Sequence, residues 1–229
     1  MSNKPEQPFA DRTALASYTD NARRTVPGFD AMHMMATVLL ADGTAQGGRL
    51  LVLGAGGGME LRLLADARSD WTLDGVDPSE PMLDLARETL GDQAGRATLH
   101  HGYIDDAPDG PFDGGVCILT LHFLPANERL RTLREVRRRL RPGAPFVVAH
   151  CSFPQQPQAD RSRWRDYEEA FIVASGGSPD MARKRREGVE KALPVLSPEE
   201  DEALLREAGF HAVTPFYVAF TFRGWVAYA

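Results

Sequence analysis

Two features of the chain could handle a nucleotide. The first is the glycine cluster Gly54, Gly56, Gly57 and Gly58. It follows the apolar run Leu50, Leu51, Val52 and Leu53, and it precedes a helical stretch with Leu61, Leu64 and Ala65 on one face. Glycines at such a place let the backbone turn sharply and let a ligand approach main-chain N–H groups with no Cβ between them. The second feature is Asp77, about 20 residues further on at the end of the next apolar run, where a carboxylate can accept hydrogen bonds from both hydroxyls of a ribose. Met59 stands where a dinucleotide fingerprint calls for Gly or Ala, and no Lys-Ser/Thr pair follows the glycines. The cluster therefore suits a compact adenosine-containing ligand better than a dinucleotide or a phosphate-cradling loop. Proton carriers are scattered: His122 and His150 fall near predicted strand ends, and His33 and Tyr18 fall in the N-terminal helices.

These groups need elements to position them. Residues 11–24 and 29–40 read as two helices separated by Val26-Pro27-Gly28, the second apolar through Met32, Met35, Ala36, Leu39 and Leu40. Strands are expected at 50–53, 71–76, 97–100, within 113–121 and at 145–149, with helices between them. Ser79 is the expected cap of the helix after the second strand. The apolar runs have no polar side, as buried parallel strands require, so the fold class is α/β: a doubly wound, mostly parallel, Rossmann-like sheet. Residues 155–196 carry no strand signal and read as an inserted helical segment. Ser197-Pro198-Glu199-Glu200 opens another helix, and 213–218 with 220–228 form two strands joined almost without a loop, hence an antiparallel pair at the sheet edge.

The chain has 229 residues and a net charge of −6, which suits one α/β domain and argues against general nucleic-acid binding. Residues 1–10 read as a disordered tail without a signal pattern, and 11–229 as a single domain in which 11–47 form a helical lid and 151–196 a substrate cover. No apolar run reaches the roughly 18 residues of a membrane span. Cys117 and Cys151 read as reduced core thiols, no Cys/His spacing suits zinc, and a cytoplasmic protein without a metal is the expectation.

The ordered set of segments resembles the class I S-adenosylmethionine (SAM)-dependent methyltransferases from about residue 48 to the C-terminus. After the glycine turn come Gly75-Val76-Asp77-Pro78-Ser79-Glu80-Pro81-Met82-Leu83, Pro111-Phe112-Asp113, Leu119-Thr120-Leu121-His122-Phe123-Leu124 and Leu140-Arg141-Pro142-Gly143. Within that family, Arg24-Thr25-Val26-Pro27-Gly28-Phe29, the stretch 120–124, Arg185-Arg186 and Ala208-Gly209-Phe210 resemble the carboxy-SAM synthases, which act in tRNA wobble-uridine modification. The resemblance implies a seven-stranded sheet, SAM as donor and S-adenosylhomocysteine as product. It implies that Gly54, Ala55 and Gly56 contact the methionine end of SAM, that Asp77 holds the ribose with Pro78 beside it, that Tyr103 and Ile104 border the adenine, and that Phe29 closes over the donor. It also implies that Arg185 or Arg186 meets the extra carboxylate of carboxy-SAM.

The chain departs from the pattern at Val52 and Tyr103, where acidic residues are usual, although Asp105 and Asp106 lie close to the second position. In the synthases a tyrosine stands at Phe29 and an asparagine at Ile118. The resulting expectation is methyl transfer to a small-molecule acceptor, with His122 as the candidate base. Carboxy-SAM synthesis, with its tRNA-pathway connection, and a non-catalytic SAM-binding role are the alternatives, and a homodimer is implied by the resemblance. Arg129, Arg131, Arg134, Arg137, Arg138, Arg139 and Arg141 read as a solvated helix face, with a tRNA-binding face as the other option. Arg183-Lys184-Arg185-Arg186 lies in the expected substrate cover and suits an anion.

Overall fold

The computed structural model describes residues 18–229. The expected tail, the start of the first helix and the Tyr18 side chain lie outside the described residues. Seven strands form one sheet in the order β3-β2-β1-β4-β5-β7-β6: β1 Arg49–Leu53, β2 Thr72–Asp77, β3 Ala97–His101, β4 Gly114–Ile118, β5 Pro145–Cys151, β6 His211–Ala219 and β7 Phe222–Tyr228. The first five are parallel neighbours, and β7 runs antiparallel to both β5 and β6. The terminal hairpin is therefore the expected antiparallel pair, and its second strand is the one inserted next to β5. Val52 pairs with Gly75 and Val116, so β1 sits at the centre of the sheet and sends its chain into the glycine turn between two neighbours.

The helices are α1 Tyr18–Thr25, α2 Phe29–Gly43, α3 Met59–Ala67, α4 Glu80–Leu90, α5 Ala126–Arg139, α6 Gln158–Ala174, α7 Pro179–Ala192 and α8 Pro198–Glu207. Each face of the sheet buries its own apolar layer. One layer joins Leu50, Val52, Val116 and Val147 to α2, α3 and α4. The other joins Leu51, Cys117, Phe146 and Trp225 to α5 and α8. Burying side chains of this size at about 1.5–3 kcal/mol each accounts for the alternation of Leu50 and Leu51 to opposite faces.

Helix starts follow the expected chemistry in one case and not in another. Ser197 caps α8 in a reciprocal box with Glu200, and Pro198 takes the first position. Ser79 precedes α4 but makes no side-chain cap, and its Oγ is buried without a partner. Its backbone N–H donates instead to Asp77 Oδ1 at 2.8 Å, so the strand-end aspartate serves that turn. The inserted segment is two helices, α6 and α7, and α1 packs on α6. No described helix is long and apolar enough to cross a membrane.

Candidate functional site

The carboxyl ends of β1, β2 and β4 converge on the glycine turn. Gly54 has φ +79°, and a Cβ there would sit 1.9 Å from Thr120 Oγ1. Only glycine lets β1 leave the sheet against Thr120, two residues past the end of β4. Gly58 has φ +73°, and a Cβ there would approach Ala86 Cα to 2.7 Å. Gly58 thus provides the close helix packing that the spacing rule assigns to the residue at Met59. The close approach is between α3 and α4, one residue earlier than in a dinucleotide turn.

Asp77 binds the turn together. Its Oδ2 accepts the Gly56 N–H at 2.9 Å, and Gly54 and Ala55 N–H both donate to Val76 O. Burial raises the Asp77 pKa, opposed by the Ser79 and Gly56 N–H groups. Each carboxylate oxygen has one lone pair engaged by backbone and another available, so ribose hydroxyls can be accepted without breaking the turn. The N–H groups of residues 54–58 are engaged inside the turn, and what it leaves for a ligand is the free lone pairs of the Asp77 carboxylate, which fit the ribose hydroxyls of SAM.

Around this turn the remaining candidates fall into place unevenly. Pro78 follows Asp77, and its carbonyl lies 3.0 Å from His101 Nε2. Ile104 and Ile118 are buried. Tyr103 is 40% exposed, and its N–H donates to Asp106 Oδ2 at 2.9 Å, so it is Asp106 that brings a carboxylate to the β3 end while Asp105 pairs with Arg131. Phe29 is buried at the start of α2, its ring tilted against that of His33 with centroids 4.3 Å apart, and Tyr217 anchors this entry by donating to Pro27 O.

His33 Nδ1 lies 2.8 Å from Phe29 O and Nε2 lies 2.9 Å from Glu60 Oε1. Burial lowers its pKa, but the hydrogen bond and charge of Glu60 outweigh that and leave it raised. With both nitrogens engaged, His33 acts as a buried clasp between α2 and α3. Sequence reasoning missed Glu60. It lies in the first turn of α3 and acts on Asp77 by charge, so the turn has a carboxylate close by although Val52 lacks one. The signal for it was an acidic residue at a helix N-terminus directly after the glycines.

His122 follows β4 and is 5% exposed. The Cys151 N–H donates to its Nδ1 at 3.2 Å, which leaves the proton of the neutral ring on Nε2. Burial, His150 and Arg185 hold its pKa well below the ordinary value. As arranged, His122 is a neutral hydrogen-bond donor. His150 lies beside it, its Nε2 3.1 Å from Asp201 Oδ2, and Asp201 also pairs with the fully buried Arg129. Burial raises the Asp201 pKa, yet the charges of His150 and Arg129 bring it down to about 2. Cys151, buried beside this group, has its thiol pushed up to about 12 by that burial, and Cys117 is a second free, buried thiol.

The two arginines of the cover separate. Arg185 Nε donates to Glu168 Oε1 at 2.8 Å, its guanidinium lies 5.6 Å from the Phe222 ring, and its charge is felt at His122 and Cys151. Arg186 points elsewhere, to Asp166, Glu169 and Glu190. The α5 arginines are engaged within the protein. Arg129 meets Asp201, Arg131 meets Asp105 and Glu128, Arg134 meets Glu207, Arg137 meets Gly209 O, and Arg138 and Arg139 meet Glu135. Arg141, just past the helix, meets Asp113. No group of three or more potential metal ligands occurs among the described residues.

Strand order, glycine turn and strand-end acid define a class I SAM-binding fold. Residues 50–143 match the family model of a methyltransferase domain. The carboxy-SAM synthase of Chromohalobacter salexigens is 28% identical over 222 residues, covering 95% of this chain and 82% of the relative. A SAM-dependent methyltransferase from Aquifex aeolicus superposes with a TM-score of 0.62 at 18% identity, covering 95% of this chain and 98% of that one. An O-methyltransferase-type structure from Nostoc punctiforme gives 0.66 at 15% identity, and the chain spans 59% of its length. The methyltransferase-domain match over residues 50–143, the carboxy-SAM synthase relatives and the methyltransferase neighbours together support a class I SAM methyltransferase family and a SAM-dependent methyltransferase-like enzyme.

Proposed function

We propose that the protein transfers the methyl group of SAM to a small-molecule acceptor and releases S-adenosylhomocysteine. The observation that carries this reading is the Asp77 carboxylate fastened to the Gly56 N–H at the open end of β2. SAM, when bound, supplies a methyl carbon already activated by a sulfonium. Gly54, Ala55 and Gly56 hold the methionine end, Asp77 and Pro78 the ribose, and Tyr103, Ile104 and Ile118 line the adenine side. Phe29, carried by the clasped α2, closes the site and excludes water, which is most of what such a displacement asks of a protein. His122 offers Nε2–H as a donor near the end of β4, so an acceptor that loses a proton passes it to solvent or to a group of its own. The engaged α5 arginines favour a small acceptor over a nucleic-acid one.

The position of Arg185 favours a second reading, in which the enzyme handles carboxy-SAM. Its charge acts on His122, and its guanidinium keeps donors beyond the one given to Glu168. Mass spectrometry of the nucleotide that copurifies separates the two, because carboxy-SAM is heavier by one carbon dioxide. For carboxy-SAM handling, Arg185→Ala weakens carboxy-SAM binding by at least about tenfold and leaves SAM binding alone, while Arg186→Ala changes neither. Methyl transfer as proposed requires SAM in the pocket and S-adenosylhomocysteine formed in an acceptor screen. Recovery of carboxy-SAM would replace it with the second reading.

A further inference from the structure

The methionine end of SAM carries an ammonium, and an ammonium taken out of water needs a carboxylate. Asp77 serves the ribose and the Gly56 N–H. Val52, beside the turn at the centre of the sheet, offers no charge. The other carboxylates at the strand ends have partners of their own: Asp105 pairs with Arg131, Asp106 accepts the Tyr103 N–H, and Glu80 faces Arg87.

Glu60 is placed differently. It is the second residue of α3, directly after the glycines, and its carboxylate is turned in under α2. Oε1 lies 2.9 Å from His33 Nε2, and the side chain is 11% exposed. Oε2 has no hydrogen-bond partner among the described residues and still has accessible surface. The side chain shares a crevice with His33, Val116 and Ile118. Val116 is the register partner of Val52, so Glu60 brings a carboxylate into the layer where β1 has none. Phe29, assigned above to closing the site, lies against His33. Glu60 therefore stands between the turn, the end of β4 and the closing residue, and its charge is felt at Asp77 and Cys117.

His33 decides which oxygen is free. Both ring nitrogens face acceptors, Phe29 O at Nδ1 and the Glu60 carboxylate at Nε2, so both carry protons when Glu60 is ionised. The ring fixes Oε1 and leaves Oε2 to an outside donor. A carboxylate has about four lone-pair sites, enough for two cations. We propose that Glu60 Oε2 accepts the ammonium of the donor's methionine end, with His33 as the residue that positions it. This rests on SAM being the donor, as proposed above, and adds the side chain that selects a free α-amino group.

Calorimetry on the full-length protein tests it with three probes: S-adenosylhomocysteine, its analogue with hydrogen in place of the α-amino group, and 5′-methylthioadenosine, which lacks the amino-acid end. In the unaltered protein the deaminated analogue should bind at least about tenfold more weakly than S-adenosylhomocysteine. Glu60→Gln keeps an oxygen for His33 but loses the charge. It should weaken S-adenosylhomocysteine at least about tenfold and leave the other two probes within about twofold. His33→Leu should weaken S-adenosylhomocysteine about threefold or more with methylthioadenosine unchanged, and His33→Gln, whose amide can still donate to Oε1, should restore part of the loss. Equal affinity for S-adenosylhomocysteine and its deaminated analogue, or an equal loss of all three probes in Glu60→Gln, overturns the assignment. Unchanged binding in His33→Leu removes the positioning role. The first comparison uses the unaltered protein, so with the His33 pair it decides the matter even if Glu60→Gln fails to fold. Methylthioadenosine bound without discrimination for the amino group would remove Glu60 and leave the SAM site standing. No binding of any probe at about 10 mM would remove both.

Discussion

The glycine turn and the ionic groups around Glu168 and Asp201 are held together in opposite ways. At the turn the partners are backbone N–H groups and one strand-end aspartate, placed by three adjacent strands of the central sheet. Under the cover they are guanidiniums and carboxylates brought together from α5, α6, α7, α8 and β5. Backbone donors have no rotamers to order and no charge to desolvate, so the turn is preorganised by the fold itself. A buried ionic cluster gains nothing until every member is present, and it fails badly when one is removed. The first arrangement depends on backbone shape and on the single side chain of Asp77, and the second on every one of its charged side chains.

That contrast can be broken by mutation. The largest effect is expected at Asp201→Ala, which leaves Arg129 buried without its carboxylate and destabilises the fold by about 3–5 kcal/mol in urea melts. Loss of less than about 1 kcal/mol would mean the cluster is not cooperative. The same pair predicts acid sensitivity. The Asp201 pKa is lowered from 3.8 to about 2, so its stabilisation is complete above the ordinary carboxylate range and is lost as pH falls towards 2.

Next in size is Gly54→Ala. It asks a side chain to adopt φ +79° and to overlap Thr120, and it should weaken SAM binding by about 2 kcal/mol, roughly 30-fold. Unchanged SAM affinity would show that β1 can leave the sheet by another path. The smallest effect concerns the clasp between α2 and α3. Because the folded pKa of His33 is raised, its contribution is fully present below the ordinary value of 6.5 and is lost as pH rises through the raised one. Amide protection in α2 should fall over that window in the unaltered protein and stay flat in His33→Gln. A flat profile in both would remove the clasp.

The difference between the two regions also explains what could be read from the chain. The turn is local: the run at 50–53, the glycines and Asp77 are close in sequence, and their pairing follows from adjacent parallel strands. Even there, spacing could not mark Gly58 as the packing glycine, because closeness to Ala86 depends on where α4 lies. The partners of the cover are far apart in the chain, as with Arg129 and Asp201 or Glu168 and Arg185, and no periodicity marks them. The run Arg183-Lys184-Arg185-Arg186 signalled an anion, yet it could not tell Arg185, paired with the buried Glu168, from Arg186, paired with Asp166, Glu169 and Glu190. His122 was legible as a residue near the strand end. Its tautomer was not, because it is set by the Cys151 N–H across the sheet.

The measurement that bears most directly on the donor site is calorimetric titration of SAM and S-adenosylhomocysteine into the unaltered protein and into Asp77→Ala. If Asp77 ties the turn and holds the ribose, the unaltered protein binds both ligands and the variant binds each at least about 30-fold more weakly. Equal affinities in the two proteins, or no binding of either ligand at millimolar concentration, would contradict it.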